Sequence, residues 1–525
     1  MNKLMITLAF VFSISSHAKT FVYCSEGSPS GFNPQITTDG TSNNASAHTV
    51  YNRLIEFKYG STELAPGLAE SWTISEDKKT YTFNLRKGVK FHQTKYFTPS
   101  REFNADDVLF SFNRQFNKSH PYHLVGGGNY QYWEGMGMSE LIKSIEKVND
   151  YQVKITLTKP NAPLLANLAM SFMSILSKEY GDQLSAAKKQ DQIDTYPVGT
   201  GPFIYKKYRK DTLIRFTKNK DYFGNKPKIK NLVFSITPDA SVRYQKLKTG
   251  ECHLIIEPNP ADIASMKLNK KLQVQEASGL NIAYLAMNTK KAPFNNVLVR
   301  KAINYALNKK SYLKAIYRGN AIIADNPIPP NLWSYHAENK KFDLDIAKAK
   351  TLLKQAGYPE GFSTELWTLP VTRPYNPAGK KMGEMMQADL KKIGIKVKLV
   401  TYDWPTYLDK SRKGEHALIQ LGWSGDNGDP DNFLHVLLGC KAVEAGSNVA
   451  QWCDKSFNNL VEKAQQLPSQ AERAKLYKKA QEVFIEQVPW VPIAHSKVYR
   501  TMLSKVKGYK IDPLGGDIFS QVDLE

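Results

Sequence analysis

From residue 19 to residue 525 no stretch reads as a low-complexity linker, and there is no internal repeat. This constrains the fold most, because 507 residues (19 to 525) are too many for one hydrophobic core. Two or three domains are required, joined by short crossovers instead of flexible tethers. A hinged pair of lobes satisfies both demands. Thr80–Leu85 and Gln152–Leu157 alternate apolar and polar residues, the period of a half-buried strand. Asn104, followed by Asp106 and Asp107, predicts a capped helix start with acids that complement the helix dipole. Helical patterns recur at 299–307, 382–393 and 471–487, and 395–400 reads as a strand among them. The predicted class is therefore mixed α/β.

Residues 1–18 read as a secretory signal. Lys3 precedes an apolar run, 4–14, interrupted only by Thr7 and Ser13, and Ser16 and Ala18 are small residues before a cut at Lys19. The run is shorter than the ~20 residues that span a bilayer, and no later stretch approaches that length. The mature chain is thus expected to be soluble and periplasmic. The bulky Phe21, Val22 and Tyr23 ahead of Cys24 do not suit a lipid-attachment site.

An oxidising compartment favours disulfides for the four cysteines, Cys24, Cys252, Cys440 and Cys453, which allow three connectivities. Cys440 and Cys453 are near enough in sequence for a local staple, which leaves Cys24 with Cys252. No Cys-x-x-Cys pair supports a structural metal, and no metal or cofactor is expected. The formal charge of +22 is spread through doublets such as Lys188-Lys189, Lys270-Lys271 and Lys391-Lys392. No basic helix or tail concentrates it, so the charge reads as a solvated surface and nucleic acid is not an expected partner.

Residues 421–433 form a glycine-broken segment with three carboxylates, Asp426, Asp429 and Asp431, beside Trp423. Such a loop suits capture of a small cationic group. Residues 370–377 place Arg373 on a proline-stiffened loop. Together they fit a clamp for the two ends of a zwitterion. Asp429, before Pro430, reads as a turn former or cap, and Asp431 as structural. The run lacks the spacing and distal Glu of an EF-hand. Gly422-Trp423-Ser424-Gly425 is not a nucleophile elbow, and no nucleophile–base pair or metal cluster marks a peptidase.

Several blocks in order resemble the peptide and nickel family of extracytoplasmic solute-binding proteins that serve ABC importers. They are 67–72, 81–92, 104–114, 199–203 and 288–308. The start at 21–27, the Arg373-Pro374-Tyr375-Asn376-Pro377 loop and the Gly425-Asp426 turn are similar to its dipeptide-binding members. The resemblance implies a two-lobed type II binding-protein fold of the large cluster C kind, with an extra subdomain in lobe one and a hinge near 278 and 496. Lobe one would comprise 19–51, 201–278 and 497–525, its extra subdomain 52–200, and lobe two 279–496. It implies the same disulfides, Cys24–Cys252 and Cys440–Cys453. It also implies that Asp426 takes a peptide's amine and Arg373 its carboxylate. Gly425, Trp423 and Tyr375 would form the surrounding wall, and Gly40 would bring lobe-one backbone to the ligand. The expected partners are a dipeptide and an inner-membrane ABC permease, and the resemblance leaves open a chemoreceptor. The chain is expected to act as a monomer. The alternative cargoes within the same fold are haem, glutathione and longer or antimicrobial peptides.

Overall fold

The computed structural model describes residues 19–525, so the expected signal lies outside the described residues. The fold is built around one 14-residue strand, Trp490–Leu503, buried along almost its whole length. Its first half pairs antiparallel with Asn281–Met287 and with Ala321–Ile323. Its second half pairs antiparallel with Leu272–Ser278 and Leu254–Ile256. One strand therefore belongs to two sheet halves. In the ladder with Asn281–Met287 the register shifts between Ala283 and Tyr284, opposite Pro492. Proline has no N–H to donate, and a bulge is where a sheet interior tolerates it.

On one side the sheet continues from Asn281–Met287 through Leu418–Ser424 and Ser363–Trp367 to Lys396–Val400, the last three mutually parallel. On the other it runs from Leu254–Ile256 to Thr20–Ser25 and Asn231–Ile236, also parallel, then to antiparallel Leu213–Lys218 and Phe203–Arg209. A separate antiparallel sheet holds Ala69–Ile74, Thr80–Leu85, Gln152–Leu157 and Ile142–Asn149 in the order 69–74, 80–85, 152–157, 142–149. Thr80–Leu85 and Gln152–Leu157 bury every second residue, as their alternation predicts. Asn104 caps helix Ala105–Phe116 in a full capping box with Asp107. The predicted helices appear as Val297–Ala306, Gly379–Lys391 and Gln470–Gln487.

Both disulfides are present: Cys24–Cys252, with Cα atoms 5.8 Å apart, and Cys440–Cys453, at 4.6 Å. The first ties strand Thr20–Ser25, near its C-terminal end, to the segment that leads into its parallel neighbour Leu254–Ile256. Among the described residues no helix is long and apolar enough to cross a membrane.

Candidate functional site

A cavity of about 230 Å3 opens where the two halves of the large sheet meet, walled also by residues that follow the small sheet. Strand Leu418–Ser424 delivers the first set of side chains. Its end turns at Gly425, whose N–H donates to Leu280 O at 2.6 Å, and a Cβ there would press within 2.8 Å of the Phe433 ring. The chain then enters helix Asp431–Leu438, every residue of which is buried. Asn432 on that helix organises the turn. Its Oδ1 accepts the Asp426 N–H at 2.9 Å and the Trp423 indole N–H at 3.0 Å.

Asp426 thereby points into the cavity. The Tyr132 hydroxyl hydrogen-bonds its carboxylate, while its Oδ2 is buried with no hydrogen-bond partner among the described residues. Burial raises its pKa to about 7, against the lowering effect of Tyr132 and Asn432. Asp429 and Asp431 face away from this role. Asp429 accepts the Arg473 guanidinium at 2.7 Å and the Asp431 N–H at 3.0 Å, and Asp431 accepts Gln465 Nε2 at 3.0 Å. Both act structurally, as the sequence indicates.

Arg373 occupies another wall. Its backbone exchanges two hydrogen bonds with Asn376, 3.1 and 3.0 Å, which closes the proline-rich loop into a tight turn. The guanidinium carbon lies 4.5 Å from the centre of the Trp404 ring, a cation–π contact. Nη1 is 3.8 Å from Glu26 Oε1, a pairing that reaches across the cavity to the end of strand Thr20–Ser25. Tyr375 is buried against Gly422, where a Cβ would come within 2.3 Å of its ring, and both line the cavity. Trp423 is half-buried and meets Tyr132 edge-on, with ring centres 6.0 Å apart. Gly40 opens helix Gly40–Ala45 on the cavity wall, after the cap Asp39, with nothing near the position of a Cβ.

The six residues singled out from the sequence, Gly40, Arg373, Tyr375, Trp423, Gly425 and Asp426, thus lie on or directly behind one cavity. Sequence reasoning missed Glu26, Tyr132, Glu257 and Trp404. Trp404 had a local signal, because it starts a helix after the capping Asp403 and before Pro405. Tyr132 had none, since only the folded chain carries 131–132 to the Asp426 turn. Burial beside Glu26 raises the Glu257 pKa to about 7, opposed by Arg500, Arg373 and Arg243.

A family model described as bacterial extracellular solute-binding proteins, family 5, matches residues 63–445. The chain is 52% identical over 526 residues to the dipeptide-binding protein of Escherichia coli (strain K12), covering 100% of this chain and 98% of that protein. It is 50% identical over 511 residues to heme-binding protein A of Haemophilus influenzae, covering 97% and 93%. The crystal structure of the dipeptide binding protein from Pseudoalteromonas sp. SM9913 in complex with Met-Leu superposes with a TM-score of 0.94 at 41% identity, covering 97% of this chain and 100% of that one. The chain belongs to the bacterial extracellular solute-binding proteins of family 5.

Proposed function

We propose that this chain is the periplasmic solute-binding component of an ABC importer. It captures dipeptides in the cavity and hands them to a permease in the inner membrane. Asp426 takes the free amine and Arg373 the terminal carboxylate, while Trp423, Tyr375, Gly425 and Gly40 surround the peptide. One observation carries the reading: a carboxylate with a buried, unpartnered oxygen and a ring-stacked guanidinium open on the same cavity. All dipeptides share an ammonium, a carboxylate and the backbone between them, so a carrier tolerant of side chains must bind those groups. Two extended residues span about 7 Å, and two fixed charges then act as a ruler. The planar fork of arginine suits the carboxylate end.

The lobes in this reading are 19–51 with 201–278 and 497–525, the added subdomain 52–200, and 279–496. The ligand drives closure by contacting both. The protein acts as a monomer and performs no chemistry on its cargo; its relatives at about half identity are named as binding proteins. The relative named for haem supports a second reading, haem as cargo in the same cavity.

A thermal-shift titration of the ligand-stripped mature protein separates these readings. The probes are dialanine, N-acetyl-dialanine, dialanine amide, tetra-alanine and haemin. Saturation at 100 times the dissociation constant adds about 2.7 kcal/mol. Stabilisation by dialanine and not by its blocked forms is the expected result. A response to haemin or tetra-alanine with none to dialanine would sink the dipeptide reading.

A further inference from the structure

We propose that Glu26 and Glu257 form a proton-accepting pair beside Arg373, which takes up one proton when a carboxylate ligand binds there. The inference rests on the reading of Arg373 as the carboxylate end of the clamp.

The topology creates the pair. Strands Thr20–Ser25 and Leu254–Ile256 run parallel with Cys24 opposite Ile255. Continuing that register by two residues sets Glu26 beside Glu257, just past the C-terminal strand ends where open α/β sheets bind ligands. The Cys24–Cys252 bond fixes the two strands to each other. Glu257 holds a left-handed backbone, φ +47°, which a non-glycine residue adopts at a cost. Both side chains line the cavity. Oε2 of each is buried without a hydrogen-bond partner among the described residues.

The surrounding charges are nearly all committed. Arg500 donates to Asp517 at 2.7 Å and to the carbonyls of Tyr499 and Gly515. Arg243 donates to the carbonyls of Ile256, Thr237, Pro238 and Glu257. Thr41 donates its hydroxyl to Glu26 Oε1. Tyr23 bonds Asp517 at 2.9 Å, and Tyr375 is a buried neutral phenol whose pKa is pushed up to about 12. Arg500 also lines the cavity and acts on Glu257, but its donors are taken by Asp517 and two carbonyls, whereas Arg373, 3.8 Å from Glu26, has no such commitment. Adding a ligand carboxylate puts three carboxylates around one uncommitted guanidinium. Like charges crowded in a poorly solvated site cannot all ionise. A proton from solvent therefore ends on a carboxylate oxygen of the pair, forming an O–H that donates to a neighbouring carboxylate.

The opposite end of the clamp works in the other direction, since a ligand ammonium at Asp426 drives its carboxyl to release a proton. That release is common to the wild type and to variants of the pair, so their difference isolates the pair. Titration calorimetry of the full mature chain with dialanine at pH 7.5, in two buffers of different ionisation heat, counts protons per ligand. Glu257→Gln is expected to lose about 0.5 to 1 proton of uptake relative to wild type. Glu26→Gln should shift the count in the same direction, and it decides alone if Glu257→Gln does not melt cooperatively. From pH 7.5 to 8.5 the dialanine ammonium itself loses its proton, so Kd rises in wild type and variants alike, and the wild-type rise should exceed that of the glutamine variants by up to about tenfold. Equal proton counts in wild type and in variants that still bind dialanine overturn the proposal. Absence of saturable dialanine heat in the wild type at every pH removes the clamp reading itself, and the proposal falls with it.

Discussion

The two ends of the cavity solve the same problem differently. At the Arg373 end the charge is never bare: Glu26 faces the guanidinium, Trp404 stacks on it, and Glu257 stands behind. At the Asp426 end no cation among the described residues pairs with the carboxylate. The carboxylate has a tyrosine hydroxyl on one side and an unpartnered oxygen on the other, and its pKa of about 7 shows the cost of burial. One end exchanges partners when a ligand arrives, whereas the other gains a partner for the first time. The acidic end therefore stores the instability, and the basic end sets how many negative charges the cavity tolerates.

The largest effect should come from removing Arg373, because Glu26, Glu257 and the ligand carboxylate would then share no free cation. Arg373→Ala is expected to weaken dialanine binding by about 3 to 5 kcal/mol, measured by calorimetry. A loss below tenfold would erase the asymmetry. Arg373→Lys keeps the charge but loses the planar stack and the fork, and should fall between the two. Asp426→Asn is expected to lose about 2 to 3 kcal/mol of affinity. The same change should raise the melting temperature of the free protein, since it removes a buried, unpaired carboxylate. A lower melting temperature would show that Asp426 is better compensated than its surroundings indicate.

The pH dependence of stability sharpens the comparison. Asp426 and Glu257 have folded pKa values of about 7, above their unfolded values of 3.8 and 4.5. The folded state then binds more protons, so the stabilising contribution is complete below about pH 4 and lost as pH rises through 7. Burial depresses the pKa of His48 to about 3 and those of His92, His416 and His495 to about 4, which tilts total stability the opposite way over this range. The carboxylate share is therefore read as a difference: in urea unfolding of ligand-stripped protein, Asp426→Asn should gain on wild type by on the order of 1 kcal/mol between pH 5 and pH 8. Saturating dialanine should flatten the Asp426 share of that slope. The smallest effect should be that of Tyr132→Phe, which removes one hydrogen bond to Asp426 and should cost about 0.5 to 1.5 kcal/mol in binding.

Much of this was legible in sequence because it is local. Period-two burial in Thr80–Leu85, the Asn104 cap and the staple Cys440–Cys453 each depend on residues within a short window. The Asp426 turn and the Arg373 loop stood out because glycine and proline mark them and their charges are unusual in context. What was hidden is non-local. Glu26 and Glu257 are 231 positions apart and become neighbours only through a parallel register that no periodicity reports. Tyr132 reaches the site from a segment that precedes it by nearly three hundred residues. The lobe boundaries came from family resemblance, because a strand shared by two sheet halves leaves no compositional mark.

That shared strand also governs how the molecule is completed. Trp490–Leu503 is the centre of both sheet halves, yet in the chain it follows every strand that pairs with it. Until it arrives, Leu254–Ile256 and Asn281–Met287 each present an open edge, with Thr20–Ser25 already paired on the far side of the former. The two halves of the protein are therefore not separable gene fragments, and a cut before Trp490 leaves two unfinished edges exposed to other chains.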